Sequence, residues 1–162
     1  MAVTSMWKRQ VAVVLLAAAL LGGCSDPKPG ALHAVPDETA ERVSAFVTSY
    51  KQDMVAAVND HELAQLEADY LLPNTSFFHA LQRYGEELQK NGSTKELVSF
   101  EVENVYEDDK EGDYFADVIE QVHIMTDDQV DDITRNVRYW VVEGADQSLR
   151  LYTIIDRTNE SD

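Results

Sequence analysis

The sequence is poor in cysteine: Cys24 is the only one among 162 residues. A single thiol cannot form a disulfide within the chain, and it cannot build a cysteine-based metal site alone. The folded part of the protein must therefore depend on its apolar core. A chain of this length buries on the order of two-thirds of its unfolded surface, which is enough for one ordinary domain.

Basic residues are also scarce. The chain carries 13 Lys and Arg against 30 Asp and Glu, a net charge of −17 at neutral pH. This balance argues against nucleic acids, anionic wall polymers and anionic lipid surfaces as direct ligands. It favours cations, cationic peptides or basic protein patches as partners, although the charge could also serve only to keep the protein soluble.

A recognisable catalytic or metal-binding set is missing as well. No nucleophile, base and orienting group can be assembled, and the four histidines lack metal-ligand spacing. The acidic segment 107–113 matches only the first half of a calcium-binding EF-hand loop, because Val118 stands where the bidentate glutamate belongs. The sequence therefore predicts a protein that is not an enzyme and has neither cofactor nor metal, with a solvated turn at 107–113 and a cation-responsive loop as the weaker alternative.

The longest apolar run lies near the N-terminus and ends at the lone cysteine. Lys8 and Arg9 precede a run of Val, Leu and Ala, which continues into Leu21-Gly22-Gly23-Cys24. Residues 11–23 are too few to span a bilayer comfortably, since a transmembrane helix needs roughly 20 apolar residues. A basic start, an apolar middle and small residues before the cleavage point are typical of a secretory signal.

These features predict a bacterial lipoprotein. A signal peptidase would recognise Leu21, Gly22 and Gly23, remove residues 1–23 and leave Cys24 as the lipidated first residue. A diacylglyceryl group with two acyl chains anchors a protein stably to a membrane. An uncleaved anchor and a cleaved signal without lipid are the alternatives. Residues 24–36 are predicted to form a flexible linker after the lipidated cysteine, and residues 159–162 a disordered tail.

Residues 37–158 are predicted to begin with three helices. Apolar residues recur at helical spacing over about 38–59, with Lys51 among the residues expected off the apolar face. Asp37 is the expected cap of this helix, and Asp60 that of a shorter second helix ended by Pro73. Asn74 or Thr75 is expected to cap the third helix, which Lys90-Asn91-Gly92 ends.

The spacing of the apolar residues then changes to that of strands. Alternation predicts four strands, at 97–106, 114–125, 133–142 and 149–157, joined by turns. The first should place Val98, Phe100 and Val102 on one face, and the third, apolar on both faces, should lie inside the sheet. Helices followed by antiparallel strands predict an α+β domain, with three helices packed on one face of a curved sheet of about four strands.

The element order and several local motifs resemble a known family. The motifs are AAVN at 56–59, LLPNT at 71–75, the aromatic segment 77–84, VRYWVV at 137–142 and LRLYTII at 149–155. Residues 38–157 resemble the nuclear transport factor 2-like fold, a cone of helices and a bent sheet. They are most similar to the C-terminal extracytoplasmic domain of the teicoplanin-resistance-associated TcaA family. The resemblance implies the outer face of a Gram-positive cell membrane rather than a Gram-negative outer membrane.

The resemblance also suggests where a site would lie. Enzymes of similar fold work inside the cone with an Asp, His or Tyr, which makes five residues candidates for lining a pocket: Tyr114, Asp117, His123, Tyr139 and Trp140. Asp117 and His123 share one face of their strand, with Glu120 on the opposite face. Six residues of strand separate Asp117 and His123 by about 20 Å, so they cannot act as a direct pair.

Two functions follow from these patterns. The first is a membrane-anchored, non-enzymatic module that binds an envelope protein or peptide through its sheet face or cone mouth. The second is a small-ligand-binding protein, or an enzyme with isomerase- or dehydratase-like chemistry, and either needs a cone cavity of roughly 300 Å³ or more. A cone filled by aromatic side chains such as Phe77, Tyr84, Phe100 and Trp140 would count against the second.

Overall fold

A computed structural model describes residues 28–160, so the predicted signal peptide and its lipidation residue, Cys24, lie outside the described residues. The described part contains three helices and five strands. They are β1 (Leu32–Ala34), α1 (Asp37–Asp60), α2 (Leu63–Tyr70), α3 (Ser76–Asn91), β2 (Thr94–Asp108), β3 (Tyr114–Thr126), β4 (Gln129–Glu143) and β5 (Leu149–Asp156). None of the helices within residues 28–160 has the length and apolar character needed to cross a membrane.

The three predicted helices are present, with small corrections at two caps. Helix α1 starts at Asp37 itself, after Pro36, so Asp37 is a helical residue rather than the cap. Asp60 closes α1, and His61 then adopts a left-handed conformation with φ 59° that ends the helix. Residues 61 and 62 form the turn between α1 and α2. Helix α2 therefore begins later than predicted, and Glu62 rather than Asp60 occupies its cap position.

Helix α3 has the ends that the sequence predicts. The side-chain oxygen of Thr75 accepts a hydrogen bond from the backbone N–H of Phe78 at 3.0 Å, which caps the first turn. Gly92 ends the helix with φ 64°, a left-handed conformation that glycine adopts without a steric penalty from a side chain.

The strands form one antiparallel sheet in the order β1-β2-β3-β4-β5, and the predicted α+β architecture is confirmed. The sheet has five strands rather than four. The additional strand, β1, pairs Leu32–Ala34 with residues 106–108 of β2 and lies in the predicted linker. Three residues are too few to show alternation, so only their long-range pairing reveals this strand. Strand β4 lies inside the sheet between β3 and β5, as predicted.

Two irregularities in β2 change which of its side chains face the helices. The pairing with β3 shifts between Leu97 and Ser99 and again between Val102 and Asn104. Val98 falls in the first shift and is 44% exposed instead of sharing the inner face with Phe100. An extra residue in a strand reverses the phase of the alternation, which explains the incorrect prediction for Val98.

The core lies between the helices and the inner face of the sheet. Its helical side is the stripe Val43, Val47, Tyr50, Met54 and Val58 of α1. Aromatic rings then bridge the helices to the sheet: the ring of Tyr50 lies 5.8 Å from that of Tyr70 and 6.1 Å from that of Tyr139. The Phe100 ring lies 5.7 Å from Tyr139. Side chains therefore occupy the middle of the cone.

Candidate functional site

The five residues predicted to line a pocket lie on opposite faces of the sheet. Tyr139 pairs with Ala116 and belongs to the core between helices and sheet, and Tyr114 is on the same face. Trp140 pairs with Phe115 on the outer face, where alternation also places Asp117 and His123. A sheet separates the two groups, so the five side chains cannot line one pocket.

Asp117 is the centre of an ion-pair network on the outer face. Its carboxylate accepts hydrogen bonds from Arg138 at 2.6 and 2.8 Å and from Arg157 at 2.8 Å. Nearby, the indole N–H of Trp140 donates to Asp113 at 2.8 Å. The Asp117 network ties β3 to β4 and to the segment after β5, which is a structural role.

His123 lies between two carboxylates of neighbouring strands. Its Nδ1 is 3.5 Å from Glu96 of β2, and its Nε2 is 3.8 Å from Asp132 of β4. This half-buried side chain contributes to the charged outer surface and has no contact with the Asp117 network. Within residues 28–160, no group of three or more His, Cys, Asp or Glu side chains is placed to hold a metal ion.

The acidic turn at 107–113, the weaker candidate for a calcium loop, is held by hydrogen bonds from backbone N–H groups to the side chain of Asp108. Asp108 is only 4% exposed. Its oxygens accept backbone hydrogen bonds from Gly30 at 3.0 Å, Glu111 at 3.2 Å and Asp113 at 3.0 Å. Burial alone would raise the pKa of Asp108, but these N–H donors outweigh it and lower that pKa below its ordinary value. Asp108 therefore organises the turn and fastens the segment before β1.

The inner face of the sheet carries a buried acid with three partners. Glu120, 1% exposed, accepts hydrogen bonds from Lys51 at 2.8 Å, Arg135 at 2.7 Å and the Tyr139 hydroxyl at 3.0 Å. Lys51 comes from α1, Glu120 from β3, and Arg135 and Tyr139 from β4. One carboxylate thus joins the long helix to the two inner strands.

These contacts determine the charge state of Glu120. Burial raises the pKa of its carboxyl, but the positive charges of Lys51, Arg135 and Lys95 outweigh burial and lower the pKa to about 2. Burial also raises the pKa of Tyr139 well above its ordinary value, so its hydroxyl stays protonated and donates. A carboxylate held ionised across the physiological range is a poor proton carrier near neutral pH. Glu120 instead links α1 to β4 through its ion pairs with Lys51 and Arg135.

Lys95 is buried near Glu120, but within residues 28–160 it forms no salt bridge with a carboxylate. It is 5% exposed, and its Nζ donates to the Tyr84 hydroxyl at 3.1 Å and lies 4.9 Å from the Tyr84 ring centre. Burial lowers the pKa of Lys95 well below its ordinary value, and the charges of Lys51 and Arg135 lower it further. Lys51, Lys95, Glu120 and Arg135 together are called the cationic cluster below.

The burial of both lysines of this cluster was not predicted from the sequence. Lys51 was expected off the apolar face of α1, but it is 1% exposed. It follows Val47 by four residues, which places it in phase with the buried stripe, and Lys95 precedes Leu97 by two on its strand. The position of each lysine in phase with apolar residues was therefore the signal for its burial. It was not used because lysine side chains are usually exposed to solvent.

Two grooves flank α2 on the outer side of the helical layer. One has a volume of about 380 Å³ and the other about 210 Å³. The larger is lined by Val58, His61, Leu63, Ala64, Glu67, Gln82, Gly85, Glu86 and Gln89. The smaller is lined by Asp53, Ala56, Ala57, Glu62, Gln65, Leu66, Asp69 and Tyr70. Both combine apolar side chains with carboxylates, and no Lys or Arg is among these lining residues.

Comparison with known families gives a match over most of the domain. A family model described as the TcaA protein NTF2-like domain matches residues 39–155. That domain comes from an extracytoplasmic region of a membrane protein family. An uncharacterized protein of Alkalihalophilus pseudofirmus is 37% identical over 148 residues, which cover 91% of this chain and 94% of the relative.

Solved structures support the fold. The intermembrane space region of the chloroplast protein ARC6 has a TM-score of 0.58 at 12% identity and covers 76% of this chain and 98% of its own. A protein from Catenulispora acidiphila, in complex with S-DNPA, has a TM-score of 0.54 at 16% identity, covering 72% and 92%. The protein Aln2 from a Streptomyces species has a TM-score of 0.53 at 13% identity, covering 79% and 96%. At these identities the likeness concerns the fold alone.

Proposed function

Because the chain belongs to the family of TcaA NTF2-like domains, we propose that it is a lipid-anchored lipoprotein whose folded domain is a non-enzymatic binding module of the cell envelope. The observation that carries this proposal is the filled interior of the cone. Because side chains fill this interior, the surface of the domain is the region that remains for contact with a partner.

The filled interior argues against a large ligand or substrate inside the cone. Pockets for small molecules usually have volumes of roughly 300–1,000 Å³. In this chain the rings of Tyr50, Tyr139 and Phe100 and the contacts of Glu120 occupy that space. The S-DNPA complex belongs to a protein that shares 16% identity with this chain, so its ligand is no guide to a ligand here.

The two grooves beside α2 are the contact surface that we assign to the module. The sheet face and the cone mouth, which the sequence suggested, stay alternatives to these grooves. Carboxylates such as Asp53, Glu62 and Asp69 line the smaller groove together with Leu66 and Tyr70. This combination suits a Lys- or Arg-bearing segment of an envelope protein, whose aliphatic stems pack on apolar atoms while its charges meet the acids. Salt should weaken such binding, since the Debye length is only about 8 Å at physiological ionic strength.

The anchor is supported by the sequence before the described residues. The run Leu21-Gly22-Gly23-Cys24 follows a basic start and an apolar segment. We propose that Cys24 carries the diacylglyceryl group and holds the domain at the outer face of the membrane.

Labelling tests the anchor. Cells expressing the tagged protein are fed an alkyne analogue of palmitate, and the purified protein is examined for label and for its N-terminal residue. Wild type and a Ser25→Ala control should carry the label and begin at residue 24, whereas Cys24→Ala should carry none. A wild-type protein without label would refute the anchor.

Charge-neutralised variants test the contact surface. The triple variant Asp53→Asn, Glu62→Gln, Asp69→Asn changes the smaller groove, and a control triple of the same charge change lies at the exposed residues Glu101, Glu103 and Asp131. Chemical cross-linking in intact cells, followed by purification and mass spectrometry, measures partner recovery. The groove variant should lose the cross-linked partner and the control should keep it. Equal recovery from both variants would refute this assignment.

A further inference from the structure

The N-terminal segment joins the domain at one end of the sheet. The backbone N–H of Gly30 donates to the side chain of Asp108 at 3.0 Å, and that of Ala31 donates to the side chain of Asp109 at 2.8 Å. The backbone N–H of Asp109 donates to the Ala31 carbonyl at 3.0 Å, and β1 then pairs with the end of β2. The end of the domain formed by Gly30, Ala31 and the turn at 107–113 is called the β1 end below.

Helix α1 runs from the β1 end to the opposite end of the domain. Near its start, the Arg42 guanidinium lies 5.6 Å from the ring centre of Tyr114, which pairs with Glu107. In its last turn, the Asn59 side chain donates to the carbonyl and accepts from the N–H of Lys95, both at 2.8 Å. Lys95 stands at the start of β2, far from the turn at 107–113. The 24 residues of α1 cover about 36 Å between the two ends.

Both grooves beside α2 meet α1 in its last third. Val58 lines the larger groove, and Asp53, Ala56 and Ala57 line the smaller one. These residues follow Asp37 by 16 to 21 positions. At a rise of about 1.5 Å per residue, they lie about 24–32 Å along the helix from its start at the β1 end.

The chain between the proposed lipid and the domain is short. Residues 24–36 were predicted to form one linker, but the contacts of Gly30 and the pairing of β1 leave only residues 25–29 between Cys24 and the domain. Six peptide units separate Cys24 from Gly30. A chain of that length spans at most about 22 Å. A lipid on Cys24 would therefore hold the β1 end within that distance of the bilayer surface.

We propose that this short tether orients the domain, with the β1 end towards the bilayer and the two grooves away from it. The inference rests on the proposed anchor at Cys24. The charge of the grooves favours the same orientation, because an anionic leaflet repels carboxylates. The acids that line the grooves are Asp53, Glu62, Glu67, Asp69 and Glu86.

The orientation narrows the kind of partner that the grooves can take. A segment that directly adjoins a membrane span lies at the bilayer surface, below the level of the grooves. The Lys- or Arg-bearing segment therefore belongs to a part of an envelope protein that stands at least about 20 Å clear of the bilayer.

Distance measurements on vesicles test the orientation. Cys24 is the only thiol, so residues 24–162 can be coupled through it to a maleimide phospholipid in vesicles of phosphatidylcholine and phosphatidylglycerol. A ketone-bearing amino acid that carries a donor fluorophore replaces Glu111, exposed in the turn at 107–113, or Gln89, exposed beside the larger groove. Energy transfer to acceptor lipids should place Gln89 at least about 20 Å farther from the bilayer than Glu111. Equal distances, or a shorter one for Gln89, would overturn the proposal.

A longer tether is the matched control. An insertion of about ten Gly and Ser residues after Ser25 adds about 35 Å to the maximum reach from Cys24 to Gly30 and leaves every described residue unchanged. The domain can then turn over, so the difference in distance between Glu111 and Gln89 should shrink towards zero. An unchanged difference would show that the short tether does not set the orientation.

The anchor and the orientation can fail separately. A wild-type protein that takes up no palmitate label in cells refutes the anchor. On the vesicles a chemical bond holds Cys24 at the bilayer, so equal distances for Glu111 and Gln89 refute the orientation alone.

Discussion

Replacing Glu120 by glutamine should destabilise the domain strongly. The substitution keeps the size of the side chain and removes the charge that Lys51 and Arg135 contact at 2.8 and 2.7 Å. Lys51 is 1% exposed and would be left as a buried cation without its acid. Removing one partner of a buried ion pair typically costs about 3–5 kcal/mol of unfolding free energy.

The pKa of Glu120 gives a second value for this loss of unfolding free energy. It falls from an ordinary 4.5 to about 2 in the folded protein. Each pKa unit corresponds to about 1.4 kcal/mol, so the ionised form is favoured over the neutral form by about 3 kcal/mol on folding. The two routes agree that Glu120→Gln should cost about 3 kcal/mol at neutral pH.

The same shift predicts how this cost depends on pH. The folded pKa of Glu120 lies below the unfolded one, so its contribution is complete above about pH 4.5 and is lost as the pH falls towards 2. The difference in unfolding free energy between wild type and Glu120→Gln should therefore shrink from about 3 kcal/mol at pH 7 towards zero near pH 2.

Urea unfolding at several pH values measures this difference. Glu103→Gln, at an exposed position of β2, is the matched control and should change the unfolding free energy by no more than about 0.5 kcal/mol. Adding Lys51→Met to Glu120→Gln should restore part of the lost stability, because the uncompensated cation is then gone. A cost below about 1 kcal/mol at pH 7, or one unchanged between pH 7 and pH 2, would show that Glu120 does not stabilise the fold through these ion pairs.

Three smaller predictions concern the ends of elements. Thr75→Ala removes the cap bond to Phe78 and should cost about 1 kcal/mol in urea unfolding, with Thr75→Ser restoring most of it. Gly92→Ala places a side chain at φ 64° and should cost about 1 kcal/mol in the same assay, so an unchanged midpoint would contradict it. Asp108→Ala removes the acceptor for the Gly30 N–H, so hydrogen exchange at Gly30 should become faster while exchange in α3 stays as in wild type.

The long elements were predictable because their apolar patterns are local. In α1 the buried positions Val43, Val47, Met54 and Val58 recur at helical spacing, which the sequence displays directly. The Thr75 cap and the left-handed Gly92 also follow from residue types at positions where helices end. The resemblance to the TcaA family, which the local motifs indicate, is confirmed by the family-model match over residues 39–155.

The missed features depend on pairing between distant residues. Strand β1 exists because Leu32–Ala34 meets residues 106–108, and nothing within three residues signals that partner. The exposure of Val98 follows from a register shift against β3, which alternation along β2 alone cannot show.

The candidate site was predictable only in fragments. Alternation placed Glu120 on the face opposite Asp117 and His123, which the structure confirms through the contacts of Glu120 with Lys51 and Tyr139. The partners of Glu120 come from α1 and β4, so the cluster forms only after the helix packs on the sheet. Local reasoning also assigns most lysines to solvent, and this rule fails for Lys51, whose charge the buried Glu120 compensates.

Photo-cross-linking in intact cells tests whether the domain is a surface-binding module anchored to the envelope. A photoreactive amino acid replaces Gln65, which lines the smaller groove, or Thr134, which is exposed on β4. We predict that one envelope protein cross-links at Gln65 and not at Thr134, and that Cys24→Ala abolishes this product. Equal cross-linking at Gln65 and Thr134, or a product at Gln65 that persists in Cys24→Ala, would contradict it.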